Sequence, residues 1–236
     1  FVQTEPSAGA PATERTDVWL SFDRDNVYVT LRAWESEPER MIVNEMRRDS
    51  TNIAQNENVA FVLDTYYDRR NGTVFSINPV GGRMDGQITN EGSYSGDWNP
   101  VWNLAVGRFE GGWVAEAAIP FRSLRFPAGR PQVWGFNARR ISRWKNEVSY
   151  LAPVPNGSGI DGLFRVSLAA SLTGLEVPTV RNLDLKPFVI SDLTSDNTAT
   201  PRRHNDLSGD FGLDAKYGVT PNLTADLTYR TDFAQV

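Results

Sequence analysis

The stretch VWNLAVGRFEGGWVAEAAIP, residues 101–120, has the pattern of two strands joined by a tight turn. After the turn, Trp113, Ala115, Ala117 and Ile119 alternate with other residues, and this period of two is typical of a strand with one buried face. The turn itself, Glu110-Gly111-Gly112, supplies glycines that tolerate positive φ. The stretch therefore predicts an antiparallel hairpin whose second strand contributes to a core.

Similar short apolar segments recur on both sides of this hairpin at intervals of about ten residues, separated by Gly, Asn, Asp and Pro. Such spacing predicts an antiparallel sandwich or barrel. A second hairpin turn is predicted at Asp23-Arg24-Asp25-Asn26. Phe75, Ile77, Trp134 and Phe136 are predicted to face inward with the residues named above. The segments are DVWLSF (17–22), NVYVTLRAW (26–34), NVAFVLDTYY (58–67), TVFSINPVG (73–81), VWGFNARRISRW (133–144) and EVSYLAP (147–153).

Helix signals are scarce. Ser36 followed by Glu39 matches a capping box and predicts one short helix over residues 40–46. FRSLRF, after Pro120, predicts one more turn.

The pattern changes near residue 175. A strand over 183–193 is followed by a polar loop that contains His204, and then by a hairpin that includes YGVTPNLTADLTYRTDF, residues 217–233. A strand half-buried in a soluble sandwich alternates in the same way. However, strands of about ten residues, a very short turn and a charged opposite face favour membrane-crossing strands. The predicted apolar face consists of Phe211, Leu213, Ala215, Tyr217 and Val219 on the first strand and of Leu223, Ala225, Leu227, Tyr229 and Phe233 on the second.

The composition excludes several classes of function. The chain has 24 basic and 29 acidic residues, a formal charge of −5, which argues against nucleic-acid binding. It has no cysteine and one histidine, so thiol chemistry, zinc ribbons and Ser-His-Asp catalysis lack their residues. No stretch reaches the roughly 20 apolar residues of a membrane helix. Because Phe1 lies inside a strand pattern, an earlier segment is expected to precede it.

Three runs resemble the carbohydrate-binding module family 9-like domain. They are NVAFVLDTYYDRRNGTVFSINPVGGRMDGQ, DWNPVWNLAVGRFEGGWVAEAAIPFRSLRF and VWGFNARRISRWKNEVSYLAPVP, and GWVAEAAIPFRSL is the most specific part. More narrowly, the chain is similar to DUF5916-type bacterial proteins, which place this domain before an outer-membrane β-barrel. DFGLDAKYGVTPNLTADLTYRTDFAQV, residues 210–236, resembles the start of that barrel.

The resemblance implies an all-β chain in three parts. Residues 1–172 are expected to form a jelly-roll-like antiparallel sandwich, 173–182 a linker, and 183–236 the first strands of a membrane β-barrel. It also implies a sugar-binding protein of the bacterial outer membrane, with the sandwich in the periplasm or at the cell surface.

Sugar rings stack their apolar C–H faces on exposed aromatic rings, so the seven tryptophans are the first candidates for a site. Trp19, Trp113 and Trp134 lie in strand patterns and are predicted to be core residues, as is Trp102. Trp98, with Tyr94 nearby, lies in the Gly- and Asn-rich run SYSGDWNP, and Trp144 is flanked by charges at a strand end. Both remain open to a ligand-facing or a core position.

Polar groups beside the aromatic platform would bind the sugar hydroxyls. Arg139 and Arg140 are adjacent in a strand, so at most one can face a given pocket, and either can instead form a salt bridge. Asn137 and Glu147 are weaker candidates.

The turn DTYYDRRNG offers oxygen ligands from Asp64, Asp68 and Asn71. Calcium prefers several such oxygens, but Asp and Asn are also ordinary turn residues. The resembled family often carries structural calcium, which favours a structural ion here.

Catalysis has little support, since a glycosidase needs two facing carboxylates and nothing in the spacing brings Glu116 and Glu147 together. The leading hypothesis is therefore non-catalytic binding of an oligo- or polysaccharide at the outer membrane, for glycan capture or uptake. One alternative is a structural plug or assembly domain of a barrel, without sugar binding. Another is an accessory domain in the hydrolysis of O-glycosyl bonds.

Overall fold

The computed structural model describes residues 1–127, 131–177, 183–196, 203–220 and 223–229. The chain divides into two compact units, Phe1–Thr179 and Val180–Val236. The strands of the first unit are β1 Val2–Glu5, β2 Thr16–Phe22, β3 Asn26–Trp34, β4 Asn58–Asp64, β5 Gly72–Ile77, β6 Arg83–Thr89, β7 Ser93–Ser95, β8 Asn103–Phe109, β9 Gly112–Pro120, β10 Gln132–Ser142, β11 Glu147–Tyr150 and β12 Ala170–Leu175. Short 3-10 helices cover Pro38–Arg40, Thr51–Gln55, Phe121–Ser123, Gly159–Phe164 and Val166–Leu168.

The first unit is an antiparallel sandwich of two sheets. The smaller sheet has the order β2-β3-β9-β8, and the larger has the order β1-β11-β10-β4-β5-β6-β7, with β12 also paired to β10. The β8–β9 hairpin pairs Asn103 with Ala118, which confirms the hairpin predicted at 101–120. The turn after β2 is also confirmed, because Asp23 Oδ1 accepts the backbone N–H groups of Asp25 and Asn26 at 2.7 and 2.8 Å.

The core between the sheets is the predicted one. Each of its eight predicted members lies on a strand and is at most 3% exposed. Trp102 is also buried, as predicted, and its ring contacts Phe75 edge to face at 5.2 Å. The eight residues are Phe75, Ile77, Trp113, Ala115, Ala117, Ile119, Trp134 and Phe136.

The larger sheet is buried on its second face as well. Ala60 and Val62 of β4 share a cluster with Leu163 and Val166, which lie in the two 3-10 helices after β11. All seven residues of β4 are therefore buried, which explains its continuous apolar run.

Two local predictions are wrong. Residues 41–46 form no helix, because the side chain of Asn56 accepts the backbone N–H groups of Asn44 and Glu45 at 2.8 and 3.1 Å. Trp19, predicted to be in the core, is 51% exposed, since it lies on the outer face of edge strand β2. The turn after Pro120 is confirmed by the 3-10 helix Phe121–Ser123.

The second unit contains β13 Leu183–Asp196, β14 Arg203–Thr220 and β15 Leu223–Tyr229, which pair antiparallel in that order. The pairing of the predicted hairpin is confirmed. The predicted polar loop is shorter than expected, since β14 already includes His204. The side chains of Val219 and Leu223, and all of Phe233, lie outside the described residues, as do 178–182 of the predicted linker.

One face of this sheet is apolar and exposed. The register places Val189 opposite Phe211 and Leu213 opposite Tyr229, and these side chains are 37–81% exposed. Within the described ranges, no helix is both long and apolar enough to cross a membrane.

Candidate functional site

Trp144 lies in the turn between β10 and β11, and its indole is half-buried. The ring Nε1–H donates to Glu35 Oε2 at 3.4 Å. The guanidinium of Arg40 and the ammonium of Lys145 lie 4.4 and 4.8 Å from the ring centroid. The indole is therefore held in a defined position, with charged donors beside it and part of its surface in solvent.

Two buried carboxylates support this turn. Glu57 Oε1 accepts the backbone N–H groups of Arg143 and Trp144 at 2.8 and 3.2 Å, and Glu35 Oε1 accepts Arg140 Nη2 at 2.5 Å. Glu57 Oε2 has no hydrogen-bond partner within the described part of the chain. Burial, and then the neighbouring charge of Glu35, raise the pKa of Glu57 to about 7.

Tyr94 lies in β7, and Trp98 lies three residues after the end of that strand. Trp98 is half-buried, and its ring meets Phe75 at 5.8 Å and 72°. Tyr94 is 37% exposed, stacks on Phe164 at 5.6 Å and 11°, and donates its hydroxyl to the Asp85 carbonyl at 3.0 Å. Both rings thus have contacts within the protein, although neither is fully buried.

The four polar candidates on β10 and β11 are buried. Asn137 accepts and donates backbone hydrogen bonds with Ala152, and Glu147 accepts the hydroxyl of Thr13 at 2.6 Å. Arg139 bonds the Ile160 carbonyl and Asn58. Arg140 points to the opposite face of the sheet, where it donates hydrogen bonds to Glu35 and to the Arg15 carbonyl oxygen.

The predicted sugar contact by Asn137, Arg139, Arg140 and Glu147 therefore needs correction, since each is at most 6% exposed. Their strands are covered on both faces, and polar side chains there need internal partners. Arg140 reaches the Trp144 site only indirectly, by holding Glu35.

The predicted calcium turn is closed by its own hydrogen bonds. Asp64 accepts the backbone N–H groups of Asp68 and Arg69 at 3.2 and 2.9 Å. Asp68 accepts the backbone N–H of Asn71 at 2.8 Å and its side-chain amide at 2.6 Å. No group of three or more potential metal-binding side chains was found among the residues described. Each carboxylate oxygen of Asp64 and Asp68 accepts a hydrogen bond from within the turn, as in an ordinary Asp turn, and the calcium ion stays a prediction.

Nothing in the sequence indicates that Glu35, Arg40 and Glu57 are neighbours of Trp144. They come from three separate segments, so no spacing in the chain relates them to the tryptophan. The adjacent Lys145 was visible as flanking charge.

Glu116 and Glu147, considered as a catalytic pair, lie on different sheets, where they accept hydrogen bonds from the hydroxyls of Thr30 and Thr13.

Comparison with known proteins shows similarity in structure alone. No protein-family model and no curated protein matches the sequence. A family 9 carbohydrate-binding module from Caldicellulosiruptor kristjanssonii, solved with glucose, aligns with a TM-score of 0.50 and 16% identity, covering 72% of this chain and 81% of that one. A Bacteroides uniformis protein for which carbohydrate binding is proposed aligns with a TM-score of 0.56 and 9% identity, covering 69% and 79%. The first unit is therefore similar in fold to carbohydrate-binding module family 9.

Proposed function

We propose that the first unit binds a saccharide without catalysis, at Trp144. The observation that carries this proposal is the half-exposed indole, fixed by Glu35 and bordered by Arg40 and Lys145. The fold adds support, since the similar Caldicellulosiruptor module was solved in complex with glucose.

The chemistry of the Trp144 surroundings suits a sugar. An indole face attracts the C–H face of a pyranose ring, while guanidinium and ammonium groups donate hydrogen bonds to its hydroxyls. Arg40 has a long, half-exposed side chain, so it can move from the ring to the sugar while its stem still covers apolar surface. Lys145 is held beside the ring by an ion pair with Glu14 at 2.5 Å, so it serves as a fixed charge at the edge of the site.

Removing the ring should weaken binding without unfolding the protein. Trp144→Ala is expected to reduce saccharide affinity about tenfold, because one stacking ring contributes roughly 1–2 kcal/mol. Trp144→Phe keeps an aromatic face and should retain most of the affinity. The measurement is a glycan array followed by calorimetric titration of the best oligosaccharide, with melting temperatures recorded alongside. The full chain is kept in a detergent without a sugar headgroup, because of its exposed apolar face.

Trp98→Ala is the comparison variant. Its ring covers Phe75, so we expect a larger drop in melting temperature than for Trp144→Ala. A parent chain that binds no glycan, or a Trp144→Ala variant that binds as well as the parent, would remove the proposal.

We further propose that the second unit belongs to an outer-membrane β-barrel of a bacterium and links sugar binding to glycan capture or uptake. The exposed apolar face of β13–β15 supports this, because alternate residues of membrane strands face lipid. β13 and β14, of 14 and 18 residues, exceed the roughly 9–11 needed to cross a bilayer.

A structural or assembly domain without sugar binding is the second candidate. The contact of Trp98 with Phe75 and the burial of four polar candidates favour it. It predicts that the parent binds no saccharide on the array.

A further inference from the structure

Trp19 is 51% exposed in the middle of β2, on the outer face of the smaller sheet. Within residues 1–127 and 131–177, no aromatic or cationic group lies over its ring. At one end of the same face, by contrast, Arg32 lies 4.6 and 4.4 Å from the ring centroids of Trp34 and Phe109. Arg32 therefore covers two aromatic rings of this face, whereas the ring of Trp19 is open.

The neighbours of Trp19 on this face are polar and carry both charges. Thr30 lies directly opposite in the register, and its hydroxyl donates to Glu116 Oε2 at 3.4 Å. The rows on either side contain Arg32, opposite Asp17, and Tyr28, opposite Ser21. Hydroxyl, carboxylate and guanidinium groups together suit a neutral polyhydroxyl ligand, whereas a nucleic acid or another polyanion requires a basic face.

On the side of this face away from Trp19, the middle of β8 carries small side chains. On β8 and β9, Ala105 lies opposite Glu116, and Gly107 lies opposite Val114. Four strands about 5 Å apart give a platform of roughly 15 Å, which suits several linked rings. Small side chains on β8 leave room for a chain that extends across the sheet from Trp19.

We infer that this outer face, centred on Trp19, is a second contact surface for a neutral linear polysaccharide. It lies on a different element from Trp144 and would hold an extended chain instead of a short oligosaccharide. The inference rests on the proposed function in one respect, that the sandwich binds glycans.

The test measures depletion of the full chain, in the same detergent, by insoluble neutral polysaccharides (cellulose, xylan, mannan and β-1,3-glucan). Trp19→Ala should weaken binding to the preferred polysaccharide at least fivefold and leave oligosaccharide affinity at Trp144 unchanged. Glu116→Ala, which removes an exposed carboxylate, should weaken the same binding severalfold and provides a second variant should Trp19→Ala fold poorly. Phe22→Ala is the matched control, because Phe22 is 42% exposed on the same strand but is paired with inward-facing Val27.

The outcomes separate the two proposals. If the parent binds no saccharide, the proposed function fails and this inference fails with it. If the parent binds polysaccharide and neither Trp19→Ala nor Glu116→Ala weakens it, only this inference is overturned. A change in oligomeric state with unchanged polysaccharide binding would likewise overturn it, by making the face a contact between copies of the chain.

Discussion

Glu57 connects the Trp144 turn to the stability of the sandwich. Glu57 is 1% exposed, and burial, together with the charge of Glu35, raises the pKa of its carboxyl from 4.5 to about 7. Between these values the folded chain holds a proton that the unfolded chain has released, so stability should fall as pH rises from about 4.5 to 7. Over this pH range the free energy of unfolding should decrease by an amount on the order of 3 kcal/mol.

Glu57→Gln should flatten this pH dependence. The amide oxygen can still accept the backbone N–H groups of Arg143 and Trp144, while the charge that burial disfavours is gone. Urea unfolding at pH 5, 6, 7 and 8 should show the variant gaining stability relative to the parent as pH rises. Parallel curves for the two proteins would contradict the assignment of this titration to Glu57.

At Asp68 the structure and the calcium hypothesis predict different results. Loss of its side chain removes hydrogen bonds to Arg70 and Asn71, so Asp68→Ala should lower the melting temperature equally in calcium and in EDTA. The parent should melt at the same temperature in both. A parent that EDTA destabilises, together with an insensitive Asp68→Ala, would instead establish a structural calcium site at this turn.

The residues of the Trp144 site could be predicted only in part. Flanking charges in the sequence made Trp144 visible, whereas Arg139 and Asn137 look the same in sequence whether they line a pocket or lie beneath a covering segment. These cases differ in whether the second face of β10 is covered. That cover is visible only in the structure, for example in the hydrogen bond from Arg139 to the Ile160 carbonyl oxygen.

At the scale of elements, alternation located the strands but did not always assign their faces. In β9 the inward face was predicted correctly. Every second residue from Trp113 is apolar, whereas the other face carries the charged Glu116. In β2 both faces carry large residues, and Trp19 was placed inward although Thr30 opposite it lies on the outer face.

The β6–β7 hairpin depends on Gly86. A Cβ at this position would clash with Cε2 of the Tyr94 ring and would lie 2.6 Å from the Ser95 carbonyl oxygen. Gly86→Ala should therefore displace Tyr94 from its stack on Phe164 and cost about 1–3 kcal/mol in urea unfolding. Gly96→Ala is the control, since the nearest atom to its added Cβ lies at 3.7 Å. Equal stability of the two variants would show that the hairpin accommodates the methyl group.

At the scale of the molecule, the sequence predicted an antiparallel sandwich and a separate three-stranded region. It did not predict the cover on the larger sheet. The segment after β11 has no strand or helix period, yet Tyr150 donates its hydroxyl to the Gly159 carbonyl at 2.5 Å, and Leu163 lies over β4. Burial there comes from 3-10 helices of three and six residues and the loops beside them, which are too short for periodicity to carry a signal.

The apolar face of β13–β15 should determine where the chain partitions. If it contacts lipid, as proposed, the chain should co-float with phosphatidylcholine vesicles in a density gradient once detergent is removed. Val189→Arg places a cation on this face at a position that is 81% exposed. An arginine facing the middle of a bilayer costs about 2–4 kcal/mol, so the floating fraction should fall severalfold.

Thr228→Arg is the matched control for Val189→Arg. Thr228 is exposed on β15 between Leu227 and Tyr229, so its side chain lies on the opposite face of the sheet. It should float like the parent, because a charge on the polar face meets water. Equal loss in both variants would indicate a general effect of added charge, and a parent that stays in the aqueous fraction would remove the membrane proposal while leaving sugar binding by the sandwich untouched.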